Sequence, residues 1–129
     1  MKLDINCVRD VMLTLEDDLV IDENGETVAY SADQLVKRLS QYGRGEIIYT
    51  VKKLIEGGLL TANEDYTDPE NIWFFRDSGI TYKGHDFIAS VRPQPVWMKV
   101  RSRLENTGGR ATGCLLMSLA EEALKGLLF

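Results

Sequence analysis

The sequence predicts an α+β domain organised around a helix-turn-helix, and three observations predict it. Residues 31–60 hold two short amphipathic segments joined by a glycine turn. A longer amphipathic segment and a short branched stretch come before them. A run ending in aromatic residues, interrupted by a turn with a proline, comes after them. Helix, short strand, two helices and a β-hairpin is the order of a winged helix, and residues 93–129 add two further helices.

Residues 3–17 place Cys7, Val8, Val11, Met12 and Leu15 on one side of a helix, with Asp4 or Asn6 available as its cap. Leu19-Val20-Ile21 is short and branched and runs into Asp22-Glu23-Asn24-Gly25, the pattern of a strand entering a turn. Residues 27–30 give a second short extended piece.

In the helix pair, Ser31 can accept from the backbone three residues on while Gln34 reaches back, which is a capping box. Leu35, Val36 and Leu39 supply the buried side, and the helix stops at Tyr42-Gly43. Ile47, Ile48, Val51, Leu54 and Ile55 then recur at three- and four-residue spacing and share one face. That spacing turns Glu46, Tyr49, Thr50, Lys53 and Glu56 outward with Lys52 on the flank, and Gly57-Gly58 ends the helix. Residues 59–66 and 72–75 are expected as the two strands of the wing, since aromatic residues such as Trp73, Phe74 and Phe75 suit a half-buried pleated surface.

Thr81 is placed to cap a helix over residues 82–91 that buries Phe87 and Ile88. Pro93 and Pro95 break the chain, and a new helix starts at Pro95 or Val96. Its apolar side is Val96, Trp97, Val100 and Leu104. In the terminal helix, residues 112–129, Ser118, Glu121, Glu122 and Lys125 confine the polarity to one stripe and leave a wide apolar arc. Keeping each large apolar side chain from water is worth roughly 1.5–3 kcal/mol, so the arc demands a cover. The expected cover is a second chain, with Trp97, Leu116, Leu119, Ala123, Leu124 and Leu127 at a homodimer interface. The alternatives are the chain's own core and a membrane surface, the last opposed by the two glutamates of the stripe. The domain division is therefore residues 1–92 as the winged helix and residues 93–129 as a helical extension and dimerisation arm.

The segment Gly79-Ile80-Thr81-Tyr82-Lys83-Gly84-His85-Asp86-Phe87-Ile88 resembles an L-T-x-x-G-H-x-F-L signature that closes the wing and opens the next helix in many bacterial winged-helix proteins. Together with Leu3-Asp4, Cys7-Val8-Arg9-Asp10, Trp97 and Lys99, the chain resembles an uncharacterised family of small winged-helix proteins of Gram-positive bacteria, their phages and prophages. The resemblance implies the fold and a phage or prophage setting, and it implies no activity. Residues 63–71 depart from a DNA-reading wing, for they carry Glu64, Asp65, Asp68 and Glu70 and no base.

The 129 residues suffice for one domain with its own core. No signal-like start or membrane-length apolar run is present, which leads to an expectation of a cytoplasmic protein with Cys7 and Cys114 reduced. Residues 1–80 hold eight Lys and Arg against sixteen Asp and Glu, and residues 81–129 seven against four. Broad phosphate attraction is therefore not expected of the first part.

Enzymatic chemistry is not expected. Gly43-Arg44-Gly45 opens a glycine pattern, yet Ile48 stands where a dinucleotide fingerprint needs its third glycine. His85 is the only histidine, which removes multi-histidine metal sites, and no nucleophile is identifiable beside it. No cofactor or metal is expected. The sharper functional expectation is DNA binding in transcriptional regulation: Tyr49, Thr50 and Lys53 would reach base edges, with Arg38, Arg44 and Lys52 on phosphates. Glu46 and Glu56 weigh against it. The other expectation is a protein-interaction module, such as an adaptor or a phage-encoded inhibitor of a host protein. Lys99, Arg101, Arg103 and Arg110 offer a third, a basic footprint outside the helix pair.

Overall fold

The computed structural model of the chain describes residues 3–64, 73–76, 78–106 and 113–126. Helix α1, Ile5–Asp18, begins where Asp4 accepts from the backbone N–H groups of Asn6 and Cys7 at 2.8 and 3.3 Å. It buries Cys7, Val8, Val11, Met12 and Leu15, the residues its periodicity groups together.

Residues 19–28 form a narrow arm. Val28 donates its N–H to the Val20 carbonyl at 2.8 Å and Asp22 donates to the Glu26 carbonyl at 2.8 Å, with Ile21 opposite Thr27 between them. At the tip, the Asp22 carboxylate accepts from the N–H groups of Asn24 and Glu26 at 2.9 and 3.0 Å. Gly25 supplies the positive φ of 78° that the turn needs.

The helix pair follows strand β1, Tyr30–Ser31. Helix α2, Ala32–Arg38, carries the complete Ser31–Gln34 capping box. Helix α3, Arg44–Glu56, ends in a reversal in which Leu59 donates to the Leu54 carbonyl at 2.9 Å and Gly58 takes a φ of 79°. Strands β2, Asn63–Glu64, and β3, Trp73–Phe75, come next, and then helices α4, Tyr82–Val91, α5, Gln94–Glu105, and α6, Gly113–Leu124.

This overturns the expected α+β winged helix. The chain is mostly helical, with six helices among the described residues, and the named strands are two, two and three residues long. β3 pairs with β1 and with β2 over two positions each, which does not build a β-hairpin wing. The turn placed at 67–71 lies outside the described residues. Two physical causes separate the sequence pattern from the outcome. Leu59 and Leu60, expected to open a strand, are pulled into the core by the closure of α3 and reach Ile80 through one isolated bridge. The branched run at 19–21 makes the arm instead of a strand of the core, so helices supply nearly all the buried side chains.

One apolar cluster runs through all six helices, from Cys7 to Ala120, and takes in Phe75 of β3. Within it α4 presses onto residues 59–60. A Cβ on Gly84 would stand 2.3 Å from the Leu59 carbonyl oxygen and 2.8 Å from Ile80 Cγ2, so only glycine allows the approach. Thr81 accepts from the Gly84 N–H at 3.0 Å and donates its hydroxyl to the Gly58 carbonyl at 2.6 Å, tying the start of α4 to the end of α3.

Candidate interaction site

On α3, the side chains expected to read DNA are only partly available. Thr50, expected outward, is buried at 1% exposure, and its hydroxyl lies 3.4 Å from Cys7 Sγ. The cause is angular: Thr50 follows Ile47 by three residues and precedes Leu54 by four, so it lies on the stripe that meets α1. Tyr49 is half-buried, and Lys52 and Lys53 are exposed.

Several of the cations are held by carboxylates. Arg38 Nε lies 2.9 Å from Asp18 Oδ2, Arg44 Nη1 lies 2.5 Å from Asp33 Oδ1, and Lys53 Nζ lies 2.8 Å from Glu56 Oε2. Lys53 also sits 5.4 Å from the centroid of the Tyr49 ring. A phosphate would have to displace these partners, which removes much of the gain from counterion release. Of the third footprint, Arg101 is bridged to Glu105 at 3.5 Å, and Arg110 lies outside the described residues.

The expected dimer residues divide differently. Trp97, Leu116 and Leu119 are buried inside the chain's own core, where α6 packs on α4 and α5. Ala123 is half-buried, Leu124 is 47% exposed, and Leu127 lies outside the described residues. Helices α5 and α6 thus fold back on the first part, the alternative that the sequence left open. Arg9 helps to hold it: its guanidinium donates to the carbonyls of Val91 and Arg92, both at 2.8 Å, and lies 5.5 Å from the Trp97 ring centroid.

What remains conspicuous on the surface is the arm. Val20, Ile21 and Val28 are 59%, 68% and 50% exposed, which is unusual for three branched side chains so close together. Alternation separates them: Val20 and Val28 line a cleft of about 570 Å³ together with Tyr30, and Ile21 and Thr27 line one of about 700 Å³ on the other face. The base of the arm is fixed at Asp18, which accepts from the Tyr30 hydroxyl at 2.7 Å as well as from Arg38. Burial opposes the Asp18 charge, but the hydrogen bonds from Arg38 and Tyr30 and the charge of Arg38 outweigh it and hold the carboxyl below 3.8. No Lys or Arg occurs between Arg9 and Lys37, whereas Glu16, Asp17, Asp18, Asp22, Glu23 and Glu26 all fall in that interval.

Comparison with known families adds one result. The family model described as a hypothetical protein, DUF2513, matches residues 2–110. The chain belongs to the DUF2513 family. Searches of curated proteins and of solved structures returned no match. In this DUF2513 protein the segment 79–88 works as scaffold: Thr81 caps, Gly84 allows the close approach, Phe87 and Ile88 fill the core, and His85 is exposed. Among the described residues no group of three or more His, Cys, Asp or Glu is placed to hold a metal ion, and no helix is long and apolar enough to cross a membrane. The arm is the feature that reasoning from the sequence passed over. Its signal was present as three branched apolar residues inside a stretch devoid of bases.

Proposed function

We propose that this DUF2513 protein is a protein-interaction module, an adaptor or inhibitor without catalytic chemistry, that engages its partner through the arm at residues 19–28. The observation that carries the reading is the joint exposure of Val20, Ile21 and Val28 on an acidic hairpin anchored to the core at Asp18. Apolar side chains rimmed by like charges favour a partner that is itself apolar at the centre and basic at the edge. A phage or prophage setting, implied by the sequence resemblance, suits a small inhibitor of a host protein.

DNA binding through α3 is the second reading, favoured by the adjacent exposed Lys52 and Lys53. One pair of measurements separates the two. A photo-crosslinking amino acid at Val28 in the native cell is expected to give a discrete protein adduct, and the same residue at Lys53 none. Saturable binding of genomic duplexes at low and physiological salt, lost in Lys53→Glu and retained in Val20→Asp, would move the function to α3.

A further inference from the structure

The cleft of about 570 Å³ beside the arm is lined by Asp17, Asp18, Lys37 and Arg38, whose charges sum to zero. Two of them are spent on each other: Arg38 Nε lies 2.9 Å from Asp18 Oδ2, which also accepts from the Tyr30 hydroxyl. That bridge ties the end of α1 to the end of α2 and brings their chain neighbours, Asp17 and Lys37, to the same junction. Asp17 is near enough to favour the charged form of Arg38. Yet neither the Asp17 nor the Lys37 side chain forms a hydrogen bond or ion pair, with the other or with any further described residue. Gln34 stands one turn before Lys37 and lines the same cleft. Its Oε1 accepts from the Ser31 N–H at 2.9 Å, which leaves its Nε2 hydrogens to donate.

Charge balance decides what such a cleft takes. A ligand of net charge gains at one of the two unbonded groups and loses at the other. An uncharged ligand strips water from both with nothing in return. A ligand that carries one charge of each sign meets both. Val20 and Val28, 59% and 50% exposed, add an apolar side to the cleft. Its volume falls within the roughly 300–1,000 Å³ that small-molecule sites enclose. We infer that this cleft binds a small zwitterion with an apolar body, an α-amino acid such as leucine, with its ammonium on Asp17, its carboxylate on Lys37 and Gln34, and its side chain on Val20 and Val28. The inference goes beyond the interaction reading and stands without it.

Ligands of a single charge are the wrong occupants. A phosphate or nucleotide that approaches Lys37 meets Asp17 and Asp18, and a polyamine that approaches Asp17 meets Lys37 and Arg38.

The test is a titration of the full-length ¹⁵N-labelled protein with L-leucine, N-acetyl-leucine and leucinamide, followed by the amide resonances of Val20, Val28 and Ala29. Leucine is expected to shift these amides saturably. N-acetyl-leucine lacks the cation and leucinamide the anion, so each should bind at least tenfold more weakly. Asp17→Asn should lower the affinity for leucine to that for N-acetyl-leucine, and Lys37→Met should lower it to that for leucinamide. Both side chains are exposed and both changes keep the bridge between Asp18 and Arg38, so the variants are expected to fold, with resonances away from the arm unmoved. Equal affinity for the three ligands, no saturable shift up to the solubility of leucine, or shifts that persist unchanged in both variants would overturn the inference. A protein adduct at Val28 combined with any of these results would overturn the zwitterion site alone and leave the interaction reading in place. Saturable leucine binding without an adduct would do the reverse.

Discussion

Thr50 Oγ1 lies 3.4 Å from Cys7 Sγ, joining the middle of α3 to the first turn of α1 inside the core. Burial pushes the Cys7 thiol up from 9.0 to about 11, more than the hydrogen bond with Thr50 lowers it, and the nearby Glu46, Asp4 and Asp10 carboxylates add to the rise. The folded state therefore keeps its proton over a range where the unfolded chain releases it. Stability is whole below pH 9 and declines as pH rises from about 9 towards 11, by on the order of 2–3 kcal/mol for this group. Tyr30 and Tyr42, whose phenols are raised by burial and by hydrogen bonds to Asp18 and Asp10, act in the same direction from pH 10 upward. Thermal melts at pH 8 and pH 10.5 are expected to differ markedly. In Cys7→Ala the part of the loss that begins at pH 9 should vanish. Alkylation of Cys7 at pH 8 should require unfolding.

Asp18 gives the opposite slope on the acid side. Its carboxyl is held below 3.8 in the folded chain, so its stabilisation is present above that value and is lost as pH falls through the lower, folded one. Asp18→Ala leaves the Tyr30 hydroxyl buried without its acceptor and is expected to cost about 1–3 kcal/mol. Tyr30→Phe, which leaves Arg38 on the carboxylate, should cost less, about 1 kcal/mol. Because Asp18 anchors the arm, hydrogen exchange at Val28 should rise in Asp18→Ala before global unfolding is affected.

Helical periodicity carried most of the legible information. Spacing placed α1, α3 and α4 with their buried faces, and the local chemistry of Asp4, Ser31 and Thr81 located three of the helix starts. Two kinds of error arose where sequence-local rules meet tertiary choice. Leu59-Leu60 and Leu19-Val20-Ile21 have equal claims to extended structure; the closure of α3 at Gly58 draws the first pair inward, while the turn at Asp22–Gly25 sends the second run out to solvent. The partner of an apolar helix is also invisible in its own pattern. The arc of α6 is satisfied by α4 and α5 of the same chain, a fact that depends on where the bend after Val91 points. At the candidate site, Lys52 and Lys53 are exposed as helical spacing predicts, whereas the same spacing sets Thr50 between Ile47 and Leu54 on the buried stripe.

Gly84 tests the α4 contact directly. Alanine at this position favours helix by about 1 kcal/mol on intrinsic propensity, yet its Cβ would overlap the Leu59 carbonyl oxygen. Main chain cannot yield as a side-chain tip does, so the net effect of Gly84→Ala is expected to be destabilising by more than 2 kcal/mol, read from urea midpoints. His85→Ala, one residue on and exposed, should lie within about 0.5 kcal/mol of the parent.

The terminal helix decides how many chains make the particle. Leu116 and Leu119 already rest on this chain's own core, so among the described residues of α6 the large apolar side chain left exposed to a second copy is Leu124. Light scattering of the full-length protein is expected to give the mass of one chain at micromolar concentration. Leu116→Ala should destabilise by about 2–5 kcal/mol, the range for truncating a buried leucine, at any protein concentration. A dimer held by α6 would behave differently, with a midpoint that climbs as protein is added. A chain ending at residue 107 would uncover the α4 and α5 surfaces that α6 protects, so it should aggregate or melt early, whereas a dimerisation arm could be removed to leave a well-folded monomer. Arg9→Leu separates the hinge from the helix itself. It removes both hydrogen bonds to the end of α4 and the stacking on Trp97, and is expected to lower stability by about 1–3 kcal/mol while the mass stays that of one chain.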